Sequence, residues 1–158
     1  MTDPIVRTVQ ERLAEFGRQQ GDKNSALEYE VTTDGGVKLT VRRGAGIEPV
    51  VVVEMTGTSE VFFLILDEVY QRHSTAYEPT SKLEAVDDLL EDAESYLAGR
   101  YFEDVYERDG KEIYKVLHLS TNRGPSVIEA SLVPLGSLRR YVGCVKRRTY
   151  PEPFREHP

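Results

Sequence analysis

The sequence predicts an α+β protein in which two amphipathic helices pack on a largely antiparallel sheet of six to eight strands. Three observations lead there. Apolar residues recur at helical spacing in two stretches, Ile5 to Gln20 and Ser81 to Leu97. Alternating apolar and polar residues flank Asp34-Gly35 and Asp109-Gly110, dipeptides that favour tight hairpin turns. The 158 residues suffice for one domain with a core that needs no disulfide or metal to hold it.

The first helix follows from Ile5, Val9, Leu13 and Phe16, which fall on one helical face, with Asp3 as cap, Pro4 at the first helical position and Gly21 as stop. Leu27, Tyr29 and Val31 alternate with Glu28, Glu30 and Thr32 as a half-buried strand does. Val37, Leu39 and Val41 do the same beyond the Asp34-Gly35-Gly36 turn, which makes a hairpin. After a Gly44-Ala45-Gly46 loop, the run Pro49 to Met55 reads as a central strand, because four consecutive valines suit coverage on both faces.

Residues 59–73 admit two readings, a strand from Val61 to Leu66 or a helix capped by Ser59. Six consecutive apolar residues between turn signals favour the strand. Ser81-Lys82-Leu83-Glu84 has the form of a capping box, so the second helix is expected to start there and to close at Gly99. Its apolar stripe is Val86, Leu89, Leu90, Ala93, Tyr96 and Leu97. Strands follow at Tyr101 to Glu107, Ile113 to Leu119 and Val127 to Val133. Residues 138–148 fit either a helix or an edge strand, and the closing prolines end regular structure.

Residues 1–79 and 80–153 share an order: a helix, an Asp-Gly hairpin, a Gly/Pro-containing loop and a further strand. A duplicated helix-plus-meander unit within a single domain, 1–158, is one account of this order. Chance likeness between two generic α+β halves is the other.

Charge is segregated along the chain. Residues 60–112 hold 5 basic and 15 acidic side chains, whereas residues 113–158 hold 8 basic and 3 acidic ones. The simplest expectation is that the two blocks pair in the fold, and a steering dipole is the alternative. No apolar run approaches the roughly 20 residues that cross a bilayer, and the N-terminus lacks the build of a secretory signal. One cysteine, Cys144, excludes an internal disulfide framework and a multi-thiolate metal site. A cytoplasmic protein without membrane partner, monomeric or homodimeric, is the expectation.

The search for chemistry returns no phosphate-binding Gly-rich loop ending in Lys-Ser/Thr, no dinucleotide fingerprint and no His-Glu-x-x-His. His73, His118 and His157 lack the local spacing of metal ligands. Cys144 with His118 is the one cysteine pairing that nucleophilic chemistry could use. The expectation is therefore no catalytic, metal or cofactor site. Asp87, Asp88, Glu91 and Asp92 form an acidic stretch on the second helix, read as a solvated face able to meet a basic protein partner. Such a protein would act as an immunity-like, antitoxin-like or chaperone-like binding module. The alternative is nucleic-acid or anion contact through Arg139, Arg140, Arg147 and Arg148, with the Asn122-Arg123 loop and neighbouring tyrosines. A small ligand-binding protein or hydrolase is the third class.

Overall fold

A computed structural model describes residues 4–21, 25–43, 50–133 and 143–151. The chain divides into two compact units, Met1–Ala93 and Glu94–Pro158. The described residues are α+β, with two helices and strands that divide into one sheet of five and one of four. No helix among the described residues is long and apolar enough to cross a membrane.

In the first unit, helix α1 (Pro4–Gly21) precedes the strands β1 (Ser25–Val31), β2 (Val37–Arg43), β3 (Val51–Met55), β4 (Val61–Leu66) and β5 (Tyr70–Thr75). They form an antiparallel meander in the order β1-β2-β3-β4-β5. Alternation along each strand sends Val37, Leu39, Val41, Val51, Val53, Met55, Phe62, Leu64, Leu66 and Tyr70 into the core. Helix α1 buries Val9, Leu13 and Phe16, the stripe its spacing predicts, and packs along β1 and β2. The valine run of β3 is central, and Val51, Val52 and Val53 are all buried. Residues 61–66 are a strand, which decides the 59–73 alternative. Ser59 lies in the preceding turn with φ of 54°.

The turn from β4 to β5 is built against local preference. Asp67 and Glu68 have φ of 52° and 59°, and Val69 N donates to Leu66 O at 3.1 Å. Two consecutive left-handed residues define the hairpin turn that normally takes Asn-Gly or Asp-Gly. Glu68→Gly is expected to raise stability by about 0.5–1 kcal/mol, the left-handed strain less the added unfolded-state entropy of glycine. A urea titration checks this, and a lowered midpoint would speak against the strain.

Helix α2 (Pro79–Leu97) begins two residues before the expected cap. Lys82 N donates to Glu78 O at 2.9 Å, so Glu78 is the cap residue and Pro79 holds the first helical position, where its missing amide costs nothing. Ser81 is thus inside the first turn, and its capping-box role is corrected. The helix closes as expected at Gly99, whose φ is 72°, with Arg100 N on Ser95 O at 2.9 Å.

In the second unit, β6 (Tyr101–Arg108), β7 (Lys111–Thr121), β8 (Gly124–Ser131) and β9 (Val145–Thr149) are antiparallel in the order β8-β7-β6-β9. The β6–β7 hairpin turns on Asp109-Gly110, with φ of 53° and 74°. Val105, Leu117, Leu119, Ile128 and Ala130 line the buried face. Strand β9 settles residues 145–148 as an edge strand. Each unit has an Asp-Gly hairpin but the sheets differ in topology: β9 returns beside β6, whereas β1–β5 never cross back.

Candidate functional site

The acidic stretch of α2 does not form one solvated row. Helical geometry places residues 82, 85, 89, 92 and 96 on one stripe, spaced by three and four. Ala85, Leu89 and Tyr96 on that stripe are buried, and Asp92 is buried with them at 2% exposure. Its carboxylate is ion-paired with Arg72 of β5. Asp87 is ion-paired with Arg12 of α1, and Asp88 and Glu91 are half-buried. Asp92 is therefore corrected from a partner contact to an internal ion pair. A charge on the apolar stripe was the available signal.

What the pairing of Arg12 with Asp87 creates is a groove between the two helices. It is an open depression of about 720 Å³ lined by Thr8, Glu11, Arg12, Glu15, Phe16, Arg18, Gln19, Asp87 and Leu90. Helix α1 supplies most of the lining because its 3.6-residue period turns residues 8, 11, 12, 15, 18 and 19 to one side of the buried stripe. Phe16 is buried and Leu90 half-buried, so the groove offers apolar surface between charged walls. Three carboxylates stand against two guanidiniums. Arg18 is bound to Glu15, and Arg12 also donates to Leu83 O at 3.4 Å. The walls are thus pre-formed by ion pairs, and the third carboxylate, Glu11, is paired with Arg7 one turn earlier on α1.

The described part of the basic segment, Lys146 to Arg148, is paired within its own sheet. Asp104 of β6 is 3% exposed and receives Arg148 Nε at 2.8 Å and Nη2 at 3.2 Å. Lys146 Nζ at 3.3 Å and His118 Nε2 at 3.2 Å complete its surroundings. Hydrogen bonds from Arg148 first, then Lys146 and the charges of both, hold the Asp104 carboxyl at about 2 despite burial. Arg147 reaches Glu107 at 2.8 Å and Glu112 at 3.3 Å. Asp104, Glu107 and Glu112 of the acidic block thus pair with the described basic residues across β6, β7 and β9, whereas Asp87 and Asp92 of its helix pair with Arg12 and Arg72. Phe102 is engaged on both faces, by the His118 ring at 4.5 Å and by the Arg148 guanidinium at 4.2 Å. Its π-face is occupied by protein. Arg139, Arg140 and Tyr141 lie outside the described residues, as does His157.

Asn122 and Arg123 form the exposed tip of the β7–β8 hairpin rather than an open loop, because β7 and β8 pair as far as Thr121 and Gly124. The Thr121 hydroxyl donates to Gly124 O at 2.7 Å and accepts Arg123 N at 3.2 Å. Cys144 packs against the Ile113–Tyr114–Val116 cluster and receives Arg108 Nη2 at 3.9 Å, whereas His118 turns to Asp104. His73 is exposed on β5, with Phe63 as its ring neighbour at 6.5 Å.

No family model matches the chain, and neither a curated protein nor a solved structure matches it.

Proposed function

We propose that this chain is a protein-binding module of immunity-like or chaperone-like type, working in the cytoplasm, which seats a basic segment of its partner in the α1–α2 groove. The observation that carries this reading is the groove itself, where apolar Phe16 and Leu90 lie between walls that present the carboxylates of Glu11, Glu15 and Asp87. Apolar floor supplies affinity, and the charged walls supply on-rate and specificity. Asp87, singled out by sequence, belongs to this site; Asp92 does not.

The test is capture from a lysate of the source cell by wild type and by Glu11→Lys/Glu15→Lys, eluted with a salt gradient. Both positions are exposed on α1, so surface substitution there is expected to leave folding within about 0.5 kcal/mol. The expected result is one protein released from wild type at moderate salt and absent from the variant. The same protein retained by the variant contradicts the groove, and nucleic acid in place of protein contradicts the reading altogether.

A further inference from the structure

Every residue that lines the α1–α2 groove is helical, so the groove presents side chains and no strand edge. Thr8 to Gln19 lie inside α1, and Asp87 and Leu90 lie inside α2. Their amides and nearly all their carbonyls are therefore spent on intrahelical hydrogen bonds. An extended occupant would lay its own peptide groups over Phe16 and Leu90 without main-chain partners, which is costly. A helical occupant arrives with its peptide groups already satisfied. The dimensions agree: the lining on α1 runs from Thr8 to Gln19, roughly 16 Å or about three helical turns. Two neighbouring helices leave between them a furrow into which the ridge of a third can pack.

Charge sets the spacing on the occupant. Glu11 and Glu15 are exposed and stand one turn apart on the α1 wall. Their partners Arg7 and Arg18 are exposed residues of α1 itself, at spacings of four and three. Pairs of that kind are weak because solvent screens them, so a partner's cations can take their place. The pairing of Asp87 is firmer. Both Asp87 and Arg12 are half-buried, and Arg12 is also bonded to Leu83 O. The groove thus combines an exchangeable acidic wall, an apolar floor and a fixed ion pair between the helices.

We infer that the groove receives an amphipathic helix of the partner, about three turns long. Its apolar stripe lies on Phe16 and Leu90, and its lysines or arginines at i and i+4 replace Arg7 and Arg18 at Glu11 and Glu15. The inference rests on the groove reading proposed above and adds to it the conformation and charge spacing of the occupant.

The experiment is fluorescence anisotropy of labelled synthetic peptides with the full chain at about 0.15 M salt. The probe is a stapled helix of about 15 residues, with leucines at i, i+3, i+4 and i+7 and lysines at i and i+4 on the adjoining flank. The comparison peptide keeps those lysines and leucines but has no staple and two central prolines, which exclude a helix. The helical probe is expected to bind wild type with Kd on the order of 10–100 μM, and the proline peptide about tenfold or more weaker. Glu11→Lys/Glu15→Lys should weaken the helical probe about tenfold. Glu30→Lys/Glu60→Lys, the same charge change at exposed positions outside the groove, should stay within about twofold. Equal binding of the two peptides, equal weakening by the two double variants, or no binding of the helical probe overturns the inference. A partner that still depends on Glu11 and Glu15 in the lysate capture then shows that the groove reading stands and that the helical occupant alone is wrong.

Discussion

Gly57→Ala is expected to be among the most damaging single substitutions in the chain, with a loss of about 3 kcal/mol. Gly57 lies in the β3–β4 turn, and its amide donates to Asp34 Oδ2 at 3.2 Å in the β1–β2 turn. Asp34 Oδ1 accepts Gly36 N at 3.1 Å and the Thr32 hydroxyl. These bonds, with that of Thr32 foremost, hold the Asp34 carboxyl below its usual range. One carboxylate thus joins two turns at the same end of the meander. A methyl group on Gly57 would sit 2.1 Å from Asp34 O and 2.8 Å from its Cγ, and the nearest obstacle is backbone. The turns would have to part, and the bond between them would be lost. Gly35 is the control: its φ is 86° but nothing lies within 4 Å of an added Cβ, so Gly35→Ala should cost only about 1 kcal/mol of backbone strain. Urea unfolding of the two variants gives the comparison, and an equal or smaller loss at Gly57 would show that the turns do not depend on their close approach.

Asp104→Asn is expected to lower stability by about 2 kcal/mol at neutral pH. The substitution keeps the shape of the side chain and removes the charge on which Arg148, Lys146 and His118 converge. Arg148 and Lys146 of edge strand β9 would then lose the carboxylate they share on β6. The pH dependence has a defined direction. The carboxyl is lowered from 3.8 to about 2 in the folded protein, so its contribution is complete above about pH 4 and is lost as pH falls toward 2. The shift corresponds to at most about 2.4 kcal/mol, and half-exposed Arg148 and Lys146 reduce that through solvent screening. Wild type and Asp104→Asn should therefore differ in urea midpoint at pH 7 and converge by pH 2. A difference that persists undiminished at pH 2 would mean that packing, not charge, sets the effect.

The parts of the fold legible in the sequence are those where periodicity and burial coincide. Helix α1, the valine strand β3 and the Asp109-Gly110 hairpin each carry a pattern that one physical rule explains. Strand β5 was not legible because Tyr-Gln-Arg-His-Ser-Thr is an edge strand whose one deeply buried residue is Tyr70, and its turn uses Asp67-Glu68 in place of glycine. The cap of α2 was misplaced because Ser81 satisfies a local pattern while Pro79 suits the first helical position better. The candidate site was half legible. Asp87 was picked out by charge, but its partner Arg12 is 75 positions away and only the fold brings them together. Charge alone places Lys82 and Asp92 in solvent, although their spacing with Leu89 and Tyr96 puts both on the buried stripe.

The central claim, that the α1–α2 groove receives a protein partner, is most directly tested by photo-crosslinking in the source cell. A photoreactive residue placed at Gln19, which lines the groove, is compared with one at Glu129, exposed on β8. The account predicts a single discrete protein adduct from position 19, reduced when Glu11 and Glu15 are reversed in charge, and none from position 129. No adduct at position 19, or the same adduct at both positions, would contradict it.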